Sequence, residues 1–103
     1  MALGRLARNG SVAVDTSVVE VSDMKNRQSF SIMNTGLTTI SLFLSDTEGA
    51  VAGSGIVLLP NSSLTDSDGG GYECWKGQIT AIGSGAGGTL AIMERIYNPQ
   101  IGR

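Results

Sequence analysis

The chain's one cysteine and one tryptophan stand side by side in GGYECWKGQITAIG, residues 70–83. A cysteine beside an aromatic ring in a glycine-rich setting is a place where a thiolate could act as a nucleophile. A reactive thiolate needs a base or a cationic surround to hold its charge. The sequence contains no histidine. That removes the Cys–His and Ser–His pairs, the commonest general base near neutral pH, and most transition-metal ligand sets. Lys76, two residues on, is the one cation beside Cys74 in sequence. The structural reading of Cys74, a small buried hydrophobe, outweighs the catalytic one. Trp75 reads equally as core or as an interface anchor, since Trp is enriched in binding hot spots.

Three other stretches have the letters of a site. GSGAGG (83–88) fits G-x-G-x-x-G through Gly83, Gly85 and Gly88. A dinucleotide fold needs a helix after that loop, but TLAIMER (89–95) alternates as a strand, so a hairpin turn is the better reading. DSDGGGYE (66–73) begins like a calcium loop, with Asp66 and Asp68 two apart. An EF-hand wants ligands at its fifth and twelfth positions, and those are Gly70 and Gly77. What survives is a weak calcium contact by Asp66, Asp68 and Glu73. Asn61-Ser62-Ser63 is a glycosylation sequon by letters, read as loop chemistry for want of a secretory signal. The other carboxylates are too scattered for an acid–base pair. We expect no enzyme, no cofactor and no metal centre.

The elements that hold these residues read as strands. Val12 and Val14, then Val19 and Val21, alternate on either side of a break near Asp15-Thr16. RQSFSIMN (27–34) sets Phe30 and Ile32 against Ser29, Ser31 and Met33. With TISLFLS (39–45) it predicts a β-hairpin turning at Asn34-Thr35-Gly36. GIVLLP (55–60) closes at Pro60, which cannot donate to a ladder. A short strand is expected at 62–64. Next, Tyr72, Cys74 and Lys76 would share one strand face and Glu73 and Trp75 the other, on a sheet covered on both sides. QITAI (78–82) and TLAIMER follow as strands. The loops 45–55 and 61–71 are polar and glycine-rich. About seven or eight short antiparallel strands predict an all-β fold, a single small jelly-roll-like β-sandwich or a compact barrel.

The totals agree. The chain has 103 residues, enough for one domain. Only 16% of residues are charged, and glycine, at 15, is about twice its usual share. A formal net charge of −2 provides no basic field for nucleic acid. No apolar run approaches the roughly 18 residues of a membrane span. A lone cysteine makes no internal disulfide, and MALGRLARNG lacks the apolar stretch of a signal peptide, so we expect folding in a reducing cytoplasm. We divide the chain into a basic N-terminal arm (1–10), a sandwich (11–96) and an irregular tail (97–103). The arm can equally be read as a frayed terminus. An ion pair between Arg27 and the Glu94-Arg95 end of the last strand is also plausible.

The order RQSFSIMNTG, GIVLLP, ECWKGQITAI, TLAIMER resembles small virion structural proteins of tailed bacteriophages. In these, an R-x-S-F-x-I-x-N-x-G opening, a G-I-x-L-x-P strand and a W-x-G-x-I-x-A-I strand precede a terminal Glu-Arg. The likeness covers roughly 27–95 and rests on turn glycines and core alternation. It implies a capsid decoration (cement) protein, a homo-oligomer with a trimer favoured. Such a protein is made in the host cytoplasm and sits on the capsid surface, bound to the major capsid protein. Candidate interface residues are Leu3, Arg5, Leu6, Arg8, Tyr72, Trp75, Ile96 and Tyr97, with the arm as a docking strand or clasp. The alternative is a carbohydrate-binding or host-adhesion module of a spike or fibre base, stacking sugars on Trp75 or Tyr72.

Overall fold

A computed structural model describes residues 5–23 and 26–97. Its eight strands are β1 (Arg5–Val14), β2 (Val19–Ser22), β3 (Arg27–Asn34), β4 (Ile40–Leu44), β5 (Ile56–Leu58), β6 (Ser63–Ser67), β7 (Ile79–Gly83) and β8 (Gly88–Tyr97). The antiparallel pairs nest: β1 with β8, β2 with β7, β3 with β6, β4 with β5. The chain is thus one antiparallel ribbon folded over itself. It yields two four-stranded sheets, β1-β8-β3-β6 (sheet A) and β2-β7-β4-β5 (sheet B). This is the jelly-roll form of the sandwich, not the barrel.

The period-2 pattern fills the space between the sheets. Val14, Phe30, Ile32, Leu90 and Ile92 from sheet A meet Val21, Ile40, Leu42, Leu58, Ile79 and Ala81 from sheet B. Each fully buried Ile, Leu or Phe in that set contributes about 1.5–3 kcal/mol relative to exposure. The expected break after Val14 is where β1 leaves sheet A and β2 enters sheet B.

Four expectations are corrected. First, β3 and β4 do not form a hairpin; they lie in opposite sheets, because Asn34 builds a corner. Its buried side-chain amide donates to the carbonyls of Thr38 (2.7 Å) and Leu58 (2.9 Å), and its oxygen accepts the Gly36 amide (3.1 Å). Second, GSGAGG is no hairpin turn, since it carries the chain from β7 in sheet B to β8 in sheet A. Third, residues 72–76 are not a strand. Tyr72 closes a small bridge with Gly69, and carboxylates on and just after β6 capture the following amides, so regular pairing resumes only at Ile79. Fourth, residues 5–10, expected as an arm, are the first part of β1, because β8 runs on to Tyr97 and supplies partners for all of them. Residues 98–103 of the expected tail, and Leu3, lie outside the described residues.

The two sheets differ on their outer faces. Loop 45–55 folds back over sheet B. Its Ala50 amide donates to Thr80 Oγ1 (3.0 Å) and its Gly53 amide to Ser41 Oγ (2.9 Å). Ser41 and Thr80, on the outward side of their strands, are therefore buried. Gly55 ends the loop at φ +73°, where a Cβ would lie 2.5 Å from the Leu42 carbonyl oxygen. No such cover lies over sheet A among the described residues. Its outer face presents Ser29, Ser31, Met33, Ala91, Met93, Ser63, Thr65 and Ser67, and a shallow depression runs over Asn9, Ser31, Met33 and Met93.

Candidate interaction surface

One end of the sandwich is tied by a buried polar network. Arg27, fully buried at the start of β3, donates from Nε to Glu94 Oε2 (2.9 Å) and from its terminal nitrogens to Ser22 Oγ (3.0 Å), the Trp75 carbonyl (2.7 Å) and the Gly77 carbonyl (3.1 Å). Ser22 Oγ donates in turn to Glu94 Oε2 (2.5 Å). The guanidinium also lies 5.3 Å from the centroid of the Phe30 ring. The network joins β2 of sheet B to β3 and β8 of sheet A and fastens the irregular segment 73–78. The expected ion pair thus forms between Arg27 and Glu94. Both ions are buried, so removing one partner would strand the other's charge. Arg8, half exposed on β1, approaches Glu94 Oε1 at 3.4 Å as an ion pair without a hydrogen bond.

Beside it, the expected calcium ligands hold protein groups. Asp68 accepts from Lys76 Nζ (2.9 and 3.1 Å), the Cys74 amide (3.0 Å) and Tyr97 Oη (3.4 Å). Asp66 accepts the Trp75 amide (3.0 Å). Among the described residues, no three Cys, Asp or Glu side chains are grouped to hold a metal. The Lys76 ammonium and the Cys74 amide hold the Asp68 carboxyl below its usual range. Burial opposes the charge on Lys76, but Asp68 and the Cys74 sulfur outweigh it and raise its pKa. Burial pushes the Cys74 thiol up, with Lys76 pulling the other way. Cys74 is buried, and its sulfur is within 3.5 Å of the Gln28 carbonyl oxygen. A protonated, enclosed thiol is no nucleophile, which answers the question the Cys-Trp pair raised.

Four of the candidate interface residues come together in pairs at one end of sheet A. Arg5 and Leu6 stand in β1 opposite Tyr97 and Ile96. Ile96 is buried and faces the sandwich interior. The Trp75 ring is half-buried against the core, its Nε1 donates to the Gln78 carbonyl (2.9 Å), and it lies over Gly77, where a Cβ would come within 2.5 Å of it. The Trp75 ring thus packs as a structural wedge between the core and Gly77. Tyr72, 60% exposed, and Tyr97, 43% exposed, remain at the surface, and the nearby Asp66 carboxylate raises the Tyr72 pKa.

Residue-by-residue reading missed the sheet edges. β1 is ten residues long and, among the described residues, pairs only with β8. It contains no proline and no acidic residue. The other edges are shorter: five residues in β6, four in β2 and three in β5. A long edge strand presents a row of unpaired backbone groups that another strand can complete. The alternation of Val12 and Val14 signalled a strand, but only the topology reveals it as an edge.

No family model matches the chain, and no curated protein matches it. A solved structure described as Bacillus endospore appendages, a family of disulfide-linked pili, is similar with a TM-score of 0.51 at 15% sequence identity. The alignment covers 90% of this chain and 86% of that one. At this identity the likeness is one of fold. It corrects the expected resemblance to phage virion proteins: the shared turn glycines and alternating core belong to the jelly roll in general. The capsid decoration role, the major capsid protein as partner, the trimer on a shell and the virion location fall with that resemblance. The alternative of a fibre-base module stands nearer to this neighbour.

Proposed function

We propose that the chain is a structural subunit, without catalytic activity, that assembles with copies of itself into a surface fibre. The observation that carries this reading is the ten-residue free edge of β1, on a fold shared with a pilus subunit. Strand addition at such an edge gives many backbone hydrogen bonds without any special side-chain chemistry. The absence of histidine and the buried, protonated Cys74 fit the same reading.

The proposed fibre differs from disulfide-linked pili in how its subunits are joined. A covalent head-to-tail chain needs two cysteines per subunit, one for each neighbour. This sequence has one, and it is buried. The subunits are therefore held by non-covalent contacts, each weak alone and strong in number. Negative-stain microscopy and sedimentation of the purified chain over a range of concentrations test the reading. Fibres that persist in excess thiol reductant are expected. A monomer at every concentration would refute self-assembly, and fibres that dissolve on reduction would refute the non-covalent joint.

A second reading, sugar binding by an adhesion module, rests on the exposed ring of Tyr72 beside the Asp66 carboxylate. A glycan array should then show binding that Tyr72→Ala removes and Trp75→Phe keeps.

A further inference from the structure

The two edges of sheet A match each other. Four alternating antiparallel strands leave β1 and β6 running in opposite directions, so a copy laid beside another in the same orientation brings β6 of one antiparallel to β1 of the next. The ladders also define transverse rows. Arg8 faces Glu94, Glu94 faces Phe30, and Phe30 faces Asp66. Arg8 and Asp66 thus sit at opposite ends of one row, both on the core-side face of the sheet. The flanking rows run from Ala7 to Ser67, Asn9 to Thr65, Gly10 to Leu64 and Ser11 to Ser63. No row would juxtapose like charges or two large side chains. At Gly10 the space a Cβ would occupy is empty, which leaves room for Leu64.

We propose, resting on the fibre reading, that β1 of one copy pairs antiparallel with β6 of the next, with Ala7–Ser11 opposite Ser67–Ser63 and Arg8 facing Asp66. The joint extends sheet A without a break. It is head-to-tail, so it leaves a free edge at each end and grows a filament. Arg8 would bridge two carboxylates, Glu94 of its own copy and Asp66 of the next. Asp66 has the capacity: its oxygens take the amides of Ser67 (3.1 Å) and Trp75 (3.0 Å) and the hydroxyl of Tyr72, three of about four lone-pair sites. Each copy adds four strands at about 4.8 Å spacing, an advance of about 19 Å along the sheet. Sheet B offers no comparable joint, since its edges are short and β2 changes register between Glu20 and Ser22.

Two sets of variants of the full chain test the joint. Arg8→Asp and Asp66→Arg each place like charges across it, so each alone should remain monomeric. Mixed in equal amounts they should assemble, because every junction then regains an opposite pair. Single variants that assemble as readily as the unaltered chain would overturn the pairing. Arg8→Asp also sets a carboxylate beside buried Glu94, so a second pair touches only outward-facing positions. Asn9→Cys with Thr65→Cys in one chain puts two thiols within disulfide reach across the joint. Oxidation of assembled material should give a ladder of covalent multimers on a non-reducing gel. The control, Asn9→Cys with Val57→Cys on β5, should give none. Fibres without the ladder would overturn this joint and leave the fibre reading standing. An unaltered chain that stays monomeric would overturn both.

Discussion

On the outer face of sheet B, Ser41 and Thr80 are buried beneath loop 45–55 and accept the amides of Gly53 and Ala50. On the outer face of sheet A, Ser31 bonds Thr65 across the strands (3.1 Å) in contact with solvent, and Met33 is 40% exposed. Both sheets bury equivalent inner faces. The difference teaches that polar alternation alone does not mark a solvated face. In sheet B it marks acceptors for a covering loop; in sheet A it leaves a bare surface of serines, threonine and two methionines with a long edge beside it. The face of sheet B is covered within the chain, and we read the long edge of sheet A as paired by another copy.

Substitutions can break or sharpen that contrast. The largest effect is expected from Arg27→Met, which removes the tie between the sheets and leaves Glu94 buried without its main partner. A loss of about 3–5 kcal/mol in denaturant unfolding is expected; a loss under 1 kcal/mol would show that the network is not structural. Thr80→Ala leaves the Ala50 amide buried without its acceptor and should cost about 1–3 kcal/mol. Gly55→Ala strains a positive φ and pushes a methyl into the Leu42 carbonyl, so a loss above about 1 kcal/mol is expected in thermal melts. Ser31→Ala, on the bare face, should change stability by no more than about 0.5 kcal/mol. If Thr80→Ala and Ser31→Ala had equal effects, the covered and bare faces would not differ energetically.

Acidification should act on neither face but on the strap at the sandwich end. The Asp68 pKa is depressed in the folded state by Lys76 and the Cys74 amide. Its contribution is fully present above the usual carboxylate range near 3.8 and is lost as pH falls through the folded value. Trp75 fluorescence should therefore report loosening of 72–76 in acid, and Asp68→Asn should abolish that dependence.

Most strands were legible from a two-residue period, which also marked the break at Asp15-Thr16; residues 5–10 of β1 and the end of β6 were not. The sheet assignments were not. Asn34-Thr35-Gly36 has the composition of a hairpin turn, yet Asn34 turns its amide inward to bond Thr38 and Leu58, and 24 residues separate it from the latter. The segment 72–76 alternates like a strand, yet Asp66 and Asp68 capture its amides first. Cys74 is buried as read, but in an irregular segment and not on a strand. Trp75 stayed undecided because nothing local reveals that Gly77 leaves space for its ring. The edge status of β1 depends on all eight strands and is written in no single stretch.

Hydrogen exchange, compared between dispersed and assembled chain, tests the central claim most directly. We predict that assembly slows exchange in residues 7–11 and 63–67 and leaves the edges of sheet B, 19–22 and 56–58, unchanged. Protection gained at the sheet B edges, with β1 and β6 unaffected, would contradict the account.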